Sequence, residues 1–167
     1  VIEAHFLFGL PYQDIDVVVH PQSIVHSMVE YQNGSVMAQM GFPTMEMPIL
    51  YALTHPERVE DHGPRVFDPV AAQTLSFEAV DEERFPAFGL GISAGQTGGT
   101  MPAVFNAANE VAVAGFLAGN LPFTSIAHVI EAALAAHQPG PVDSLETVMT
   151  ADLEARRVAQ EALKQRC

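Results

Sequence analysis

Ile24-Val25-His26-Ser27-Met28-Val29-Glu30-Tyr31-Gln32-Asn33-Gly34-Ser35-Val36-Met37-Ala38-Gln39-Met40-Gly41 decides the first half of the fold. Two runs rich in β-formers flank Asn33-Gly34, the strongest short signal for a β-hairpin, because a type I′ turn needs positive φ at both central positions. A two-residue turn there sets the register: Tyr31 faces Val36, Val29 faces Ala38 and Ser27 faces Met40. That face, with Val25 added, is apolar and is expected to cover a core. The opposite face carries Ile24, His26, Met28, Glu30, Met37 and Gln39, a mixed set that suits an interface or the wall of a site.

Working outward, Ile15-Asp16-Val17-Val18-Val19 reads as a short buried strand. Val1 to Phe8 reads as the end of an amphipathic helix, with Ile2 and Phe6 on one face and Gly9 and Pro11 as stop signals. No initiator Met and no capping side chain precede it, so the chain is expected to begin inside an element, as a fragment does. A helix is predicted from Pro48 to Thr54, ending before His55-Pro56. Residues 55–80 hold Pro56, Pro64, Pro69 and the turn signal His62-Gly63, and read as a connector.

From Arg84 the pattern turns helical, with helices expected at 86–94, 101–118, 124–137 and 150–165. Thr100, Thr124 or Ser125, and Thr150 are the candidate N-caps. Ile126, Val129, Ile130, Ala133 and Leu134 form one continuous stripe at helical spacing. Short Gly/Pro loops favour a small antiparallel bundle. The fold class expected is therefore α+β: the remnant of an α/β domain with a β-hairpin sheet, then an all-α helical bundle. The domains are expected at 1–54, 81–167 and, between them, a linker at 55–80.

Composition narrows the functions. A net charge of −13 with seven basic residues opposes binding to nucleic acid or to an anionic membrane. No apolar run is long enough for a membrane span and no signal peptide opens the chain. The single cysteine, Cys167, cannot close an internal disulfide, so a cytoplasmic protein is expected. The seven histidines make no helical two-histidine motif and no histidine–cysteine zinc set. Gly95, Gly98 and Gly99 lack the spacing and lysine of a phosphate loop, and read as a break between helices. Asn106, Asn109 and Glu110 form a polar stripe of the kind that links packed elements. His20 and His26, six apart around Pro21-Gln22-Ser23, read most simply as strand-end histidines bonded to backbone.

The wording of the sequence goes further. Val17 to Tyr31, with His20-Pro21-Gln22-Ser23-Ile24-Val25-His26-Ser27-Met28 at its centre, resembles the 1-deoxy-D-xylulose 5-phosphate reductoisomerase family. So do Gly34 to Gly41, Pro48 to Leu53, Pro56-Glu57-Arg58, and Phe105-Asn106-Ala107-Ala108-Asn109-Glu110-Val111-Ala112-Val113, in order over essentially the whole chain. The resemblance implies a cytoplasmic homodimer that uses NADPH and Mg²⁺ or Mn²⁺. Its reaction is the rearrangement and reduction of 1-deoxy-D-xylulose 5-phosphate to 2-C-methyl-D-erythritol 4-phosphate, in the non-mevalonate isoprenoid pathway. It also implies that this chain matches the end of the catalytic domain and the helical domain. The family's metal carboxylates, phosphate-binding residues and nucleotide loop lie upstream of Val1, so no metal ligand is expected here and the isolated fragment is expected to be inactive. Of the active-site neighbourhood, the resemblance leaves His26, in a supporting role, and the loop residues Pro43 and Met45. That loop departs from the family's Pro-Asp-Met-Arg pattern, having Thr44 for the acid and Glu46 for the base. The rival reading is a stand-alone structural or dimerisation module with no catalytic role.

Overall fold

The computed structural model describes residues 1–60, 63 and 66–165. His62, Pro64 and Cys167, named above, lie outside these described residues. The elements run α1 (Ile2–Phe8), β1 (Val18–Val19), β2 (Val25–Glu30), β3 (Val36–Met40), α2 (Glu46–Thr54), α3 (Pro69–Ala72) and β4 (Glu78–Ala79). Then follow α4 (Pro86–Thr97), α5 (Met101–Leu117), α6 (Ile126–Ala136) and α7 (Leu145–Lys164). The fold class is α+β. Packing divides the chain into two compact units, Val1–Val17 with Val80–Cys167, and Val18–Ala79. The first seventeen residues thus group with the helices and 55–79 group with the hairpin, in place of the boundaries expected at 54 and 81.

The helical unit is held by small residues. α5 packs on α6 and α7, and α4 packs on α5 and α6. The core joins Val104, Ala107, Ala108 and Ala112 of α5 to Ile126, Val129, Ile130 and Ala133 of α6, and to Ala151, Ala155 and Ala159 of α7. Alanines at every fourth position of α7 let the helix axes approach closely, since interaxial distance follows the side chains at the contact. Of the stripe expected on α6, Ile126, Val129, Ile130 and Ala133 are buried and Leu134 is half-buried against them. α7 begins at Leu145, earlier than expected, because its cap is Ser144, whose Oγ accepts a hydrogen bond from the Thr147 N–H (3.1 Å). Its first apolar residues, Leu145 and Met149, face solvent. The core-directed period therefore starts only at Ala151, which concealed the first turn. α1 ends as read, with Gly9 left-handed (φ 65°).

The second unit corrects three expectations. The hairpin turn is not a two-residue type I′ turn. Tyr31 N–H bonds Ser35 O (2.9 Å) and Gly34 N–H bonds Tyr31 O (2.8 Å), closing a three-residue loop. Gly34 alone has positive φ (79°). Asn33 instead accepts from the Ser35 N–H (3.0 Å) and the Ser35 hydroxyl (2.7 Å), the forward bond that lets asparagine build a turn without a left-handed backbone. Every pair therefore slips by one residue: Val29 faces Met37, Met28 faces Ala38 and Glu30 faces Val36. The expected core-covering face does not form; β2 is exposed apart from half-buried Val25, and β3 is exposed throughout. The expected strand at 15–19 shrinks to β1, which among the described residues pairs with β4 alone (Val18 with Ala79, Val19 with Glu78) and is exposed on that two-stranded ribbon. Finally, the connector is structured, since it contributes β4 and α3, the latter capped by Asp68.

Candidate functional site

The block His20 to His26 is built as a series of backbone constraints. Pro21 fixes φ for the corner of a turn, and the Ser23 N–H closes it on His20 O (3.0 Å). Ser23 is left-handed (φ 50°), a conformation that costs a residue with a Cβ and persists only where its surroundings enforce it. It turns Ile24 inward to 7% exposure. Ile24 O then accepts the Gly41 N–H (2.9 Å).

The next pair is Val25 with Met40, and the one after is Ser27 with Gln39. His26 is the extra residue between them, a β-bulge. Gly41 therefore lies opposite Ile24 and not, as the simple register has it, opposite His26. Bulges re-aim one side chain out of the regular alternation and are frequent beside active sites. The His26 ring is exposed.

Pro43 and Met45 follow Gly41 in the short link to α2. The Thr44 N–H bonds Phe42 O (2.8 Å), and Thr44 Oγ1 accepts from the Glu46 N–H (3.3 Å). Thr44 thus performs the local turn-building that an acid at this position would also perform. Pro43 is exposed and Met45 is 68% exposed, so neither is engaged in a core. Ile24 and Phe42 also line a cavity of about 230 Å³, with Gln22, Phe67, Ala71 and Leu75.

A second set of partners belongs to His20 and Gln22. His20 Nδ1 lies 2.8 Å from Ser76 O, and its ring stacks on Phe77 with centroids 4.6 Å apart. A carbonyl only accepts, so Nδ1 carries the proton. Gln22 Nε2 donates to Ser76 Oγ (2.9 Å), and Gln22 Oε1 accepts from the Ser76 N–H (3.3 Å). The strand-end role read for His20 is this backbone bond; nothing in the sequence marked Ser76 as its partner, more than fifty residues away.

In the helical unit the polar stripe of α5 acts as a link. Asn106 donates to Glu110 (3.1 Å), Arg156 of α7 donates to Glu110 (2.7 Å), and Arg156 also holds Asp152 (2.7 Å). The Arg156 bond, then that of Asn106, holds the Glu110 carboxyl below its ordinary range. The glycine turn at Gly98 and Gly99 is satisfied by a neighbouring loop, since the Thr100 N–H bonds Gly140 O (3.0 Å) and Gly140 N–H bonds Thr100 Oγ1 (3.2 Å). Among the described residues, no three His, Cys, Asp or Glu side chains converge as a metal site would need, and no helix is long and apolar enough to cross a membrane.

The model of the DXP reductoisomerase C-terminal domain family matches residues 40–158. The 1-deoxy-D-xylulose 5-phosphate reductoisomerase of Ralstonia nicotianae is 51% identical over 167 residues, all of this chain and 42% of that protein. That of Acetivibrio thermocellus is 48% identical over 164 residues, 98% of this chain and 43% of that protein. Among solved structures, the reductoisomerase from Zymomonas mobilis in complex with NADPH superposes with a TM-score of 0.89 at 43% identity, covering 97% of this chain and 43% of that one. A reductoisomerase in complex with NADPH, fosmidomycin and magnesium gives 0.89 at 38% identity, with 97% and 42% covered. The chain thus spans well under half the length of the relatives it matches, and within that span both its order of residues and its shape are theirs: it belongs to the DXP reductoisomerase family.

Proposed function

We propose that this chain is the C-terminal part of a working 1-deoxy-D-xylulose 5-phosphate reductoisomerase of the bacterial cytoplasm. The whole protein carries out the NADPH-dependent rearrangement and reduction of the sugar phosphate to 2-C-methyl-D-erythritol 4-phosphate. The observation that carries the reading is the agreement of essentially the entire chain with one family in sequence and in shape. The described residues offer no converging ligand set for the magnesium found in a related structure, so no step through a metal is assigned to them. Their task is to bind and orient: Pro43 and Met45 cover the substrate and cofactor pocket, and His26, re-aimed by the bulge, steadies that loop.

His26 is thus a supporting group and neither the proton donor nor a metal ligand; Mg²⁺ and Mn²⁺ take hard oxygen ligands, which gives an imidazole little reason to bind them. In the full-length protein His26→Gln should lower turnover by roughly 10–100-fold, with the metal concentration dependence nearly unchanged. Total loss in a folded variant would assign His26 a direct role, and unchanged turnover would leave it a strand-end histidine.

The whole protein is also proposed to be a homodimer using the hairpin. Val29, Val36 and Met37 are 56%, 56% and 64% exposed and lie on both faces of the ribbon, which calls for two covers. Sedimentation of the full-length protein should give a dimer at micromolar concentration. A monomer at high micromolar concentration counts against this.

A further inference from the structure

Between His26 and the substrate loop on one side, and the return strand β4 on the other, lies a continuous path of named contacts. It starts at Ser76, whose carbonyl, N–H and hydroxyl are all engaged by His20 and Gln22. It passes through the His20–Ser23 turn to left-handed Ser23 and buried Ile24. From Ile24 O it crosses to the Gly41 N–H, and Gly41 leads through Phe42 into Pro43 and Met45. Each link is a hydrogen bond or a covalent neighbour with little freedom. Within this chain the hairpin strands bury little apolar surface, so these bonds are the contacts seen to fix this end.

We propose that His20 and Gln22 are positioning residues: by gripping Ser76 they hold the His20–Ser23 turn, and through Ile24 and Gly41 they set the placement of the 42–45 loop. The grip's working part is the donor at Nδ1 and the two-way amide of Gln22; the stack on Phe77 keeps the imidazole plane in line with the Ser76 carbonyl. The ring's other nitrogen, Nε2, is buried and has no hydrogen-bond partner among the described residues. An unpartnered polar atom is costly to bury. A purely packing position would therefore favour phenylalanine, so the Nδ1 bond is the feature that requires histidine.

The proposal rests on the reading that the 42–45 loop closes on the substrate only for its catalytic consequence, and the experiment separates the two. The probe is amide hydrogen exchange on the full-length protein, comparing wild type with His20→Phe, which keeps the stack, and His20→Asn, which keeps a donor at the Nδ1 position. In His20→Phe the amides of residues 76–79 and of Gly41 and Thr44 should exchange about tenfold faster, as loss of one hydrogen bond makes local opening easier. His20→Asn should stay near wild type at Gly41 and Thr44, which distinguishes the grip from a general loss of fold. Faster exchange at 76–79 with Gly41 and Thr44 unchanged would overturn the proposal, as would equal loosening in both variants. Turnover is the separate arm. If Gly41 and Thr44 loosen in His20→Phe while turnover stays at the wild-type value, the grip stands and the role assigned to the loop fails.

Discussion

Purified as these 167 residues alone, the chain is expected to consume no NADPH when given 1-deoxy-D-xylulose 5-phosphate and Mn²⁺, and to leave NADPH fluorescence unchanged on mixing. The chain spans 42% of its relative from Ralstonia nicotianae, and the described part of it brings no metal-ligand set together. Hydride transfer needs donor and acceptor held in register, a gain of several powers of ten that supporting residues alone cannot supply. Absorbance at the reduced-nicotinamide band reads the result directly. Turnover by this chain alone would mean that it carries its own nucleotide and metal sites, and the assignment of roles to His26, Pro43 and Met45 as supports would fall with it. The rival module without catalytic role makes the same prediction for the isolated chain. The two part company upstream of Val1, where a nucleotide-binding domain and metal carboxylates encoded in frame are expected for the enzyme and not for the module.

Ile130→Ala is expected to destabilise the helical unit severely. Ile130 is 0% exposed at the centre of the α5, α6 and α7 contact. Removing a fully buried aliphatic side chain costs roughly 2–5 kcal/mol, the lost transfer energy plus the cavity left behind. The alanines around it are too short to fill the gap by changing rotamer, which places this site toward the upper end. Val29→Ala on the exposed hairpin serves as the contrast and should cost under about 0.5 kcal/mol in the monomer. Urea unfolding of the full-length protein, followed by circular dichroism at a concentration low enough to keep it monomeric, measures both. Equal effects would mean that the hairpin, and not the helical core, holds the molecule together.

The helices were legible because their cores repeat at helical spacing, and α6 shows the clean case: the stripe from Ile126 to Leu134 was read and is the stripe that packs. The start of α7 was not, because Leu145 and Met149 are apolar yet face outward. A period read from hydrophobicity cannot tell a core face from an open one. The Asn33-Gly34 signal correctly announced a hairpin, but its register turned on whether Asn33 would go left-handed or bond forward to Ser35, and both are normal asparagine behaviour. His26 was singled out through resemblance. The bulge that aims it was invisible, since a bulge is a mismatch between two strands and leaves no mark on either one alone. The contact of His20 and Gln22 with Ser76 was hidden for a similar reason: it spans a segment that reads as a mere connector.

The pairing of β1 with β4 also bears on how the chain folds and how it can change over evolution. Val18 faces Ala79, so the two ends of the segment Val18–Ala79 are held side by side in a two-stranded neck. Once that neck has zipped, the entropy of closing the helical unit depends on the few residues beside it and no longer on the whole excursion, because closure entropy follows effective loop length. The part beyond the neck can therefore lengthen, shorten or be replaced at little cost to the helices, as insertions with neighbouring ends generally are. Synthesis imposes an order on the same event. Residues 1–17 are made before the segment Val18–Ala79, yet their packing partners in the helical unit begin only at Val80. Residues 1–17 therefore cannot complete their packing within the helical unit until the whole segment Val18–Ala79 has been made.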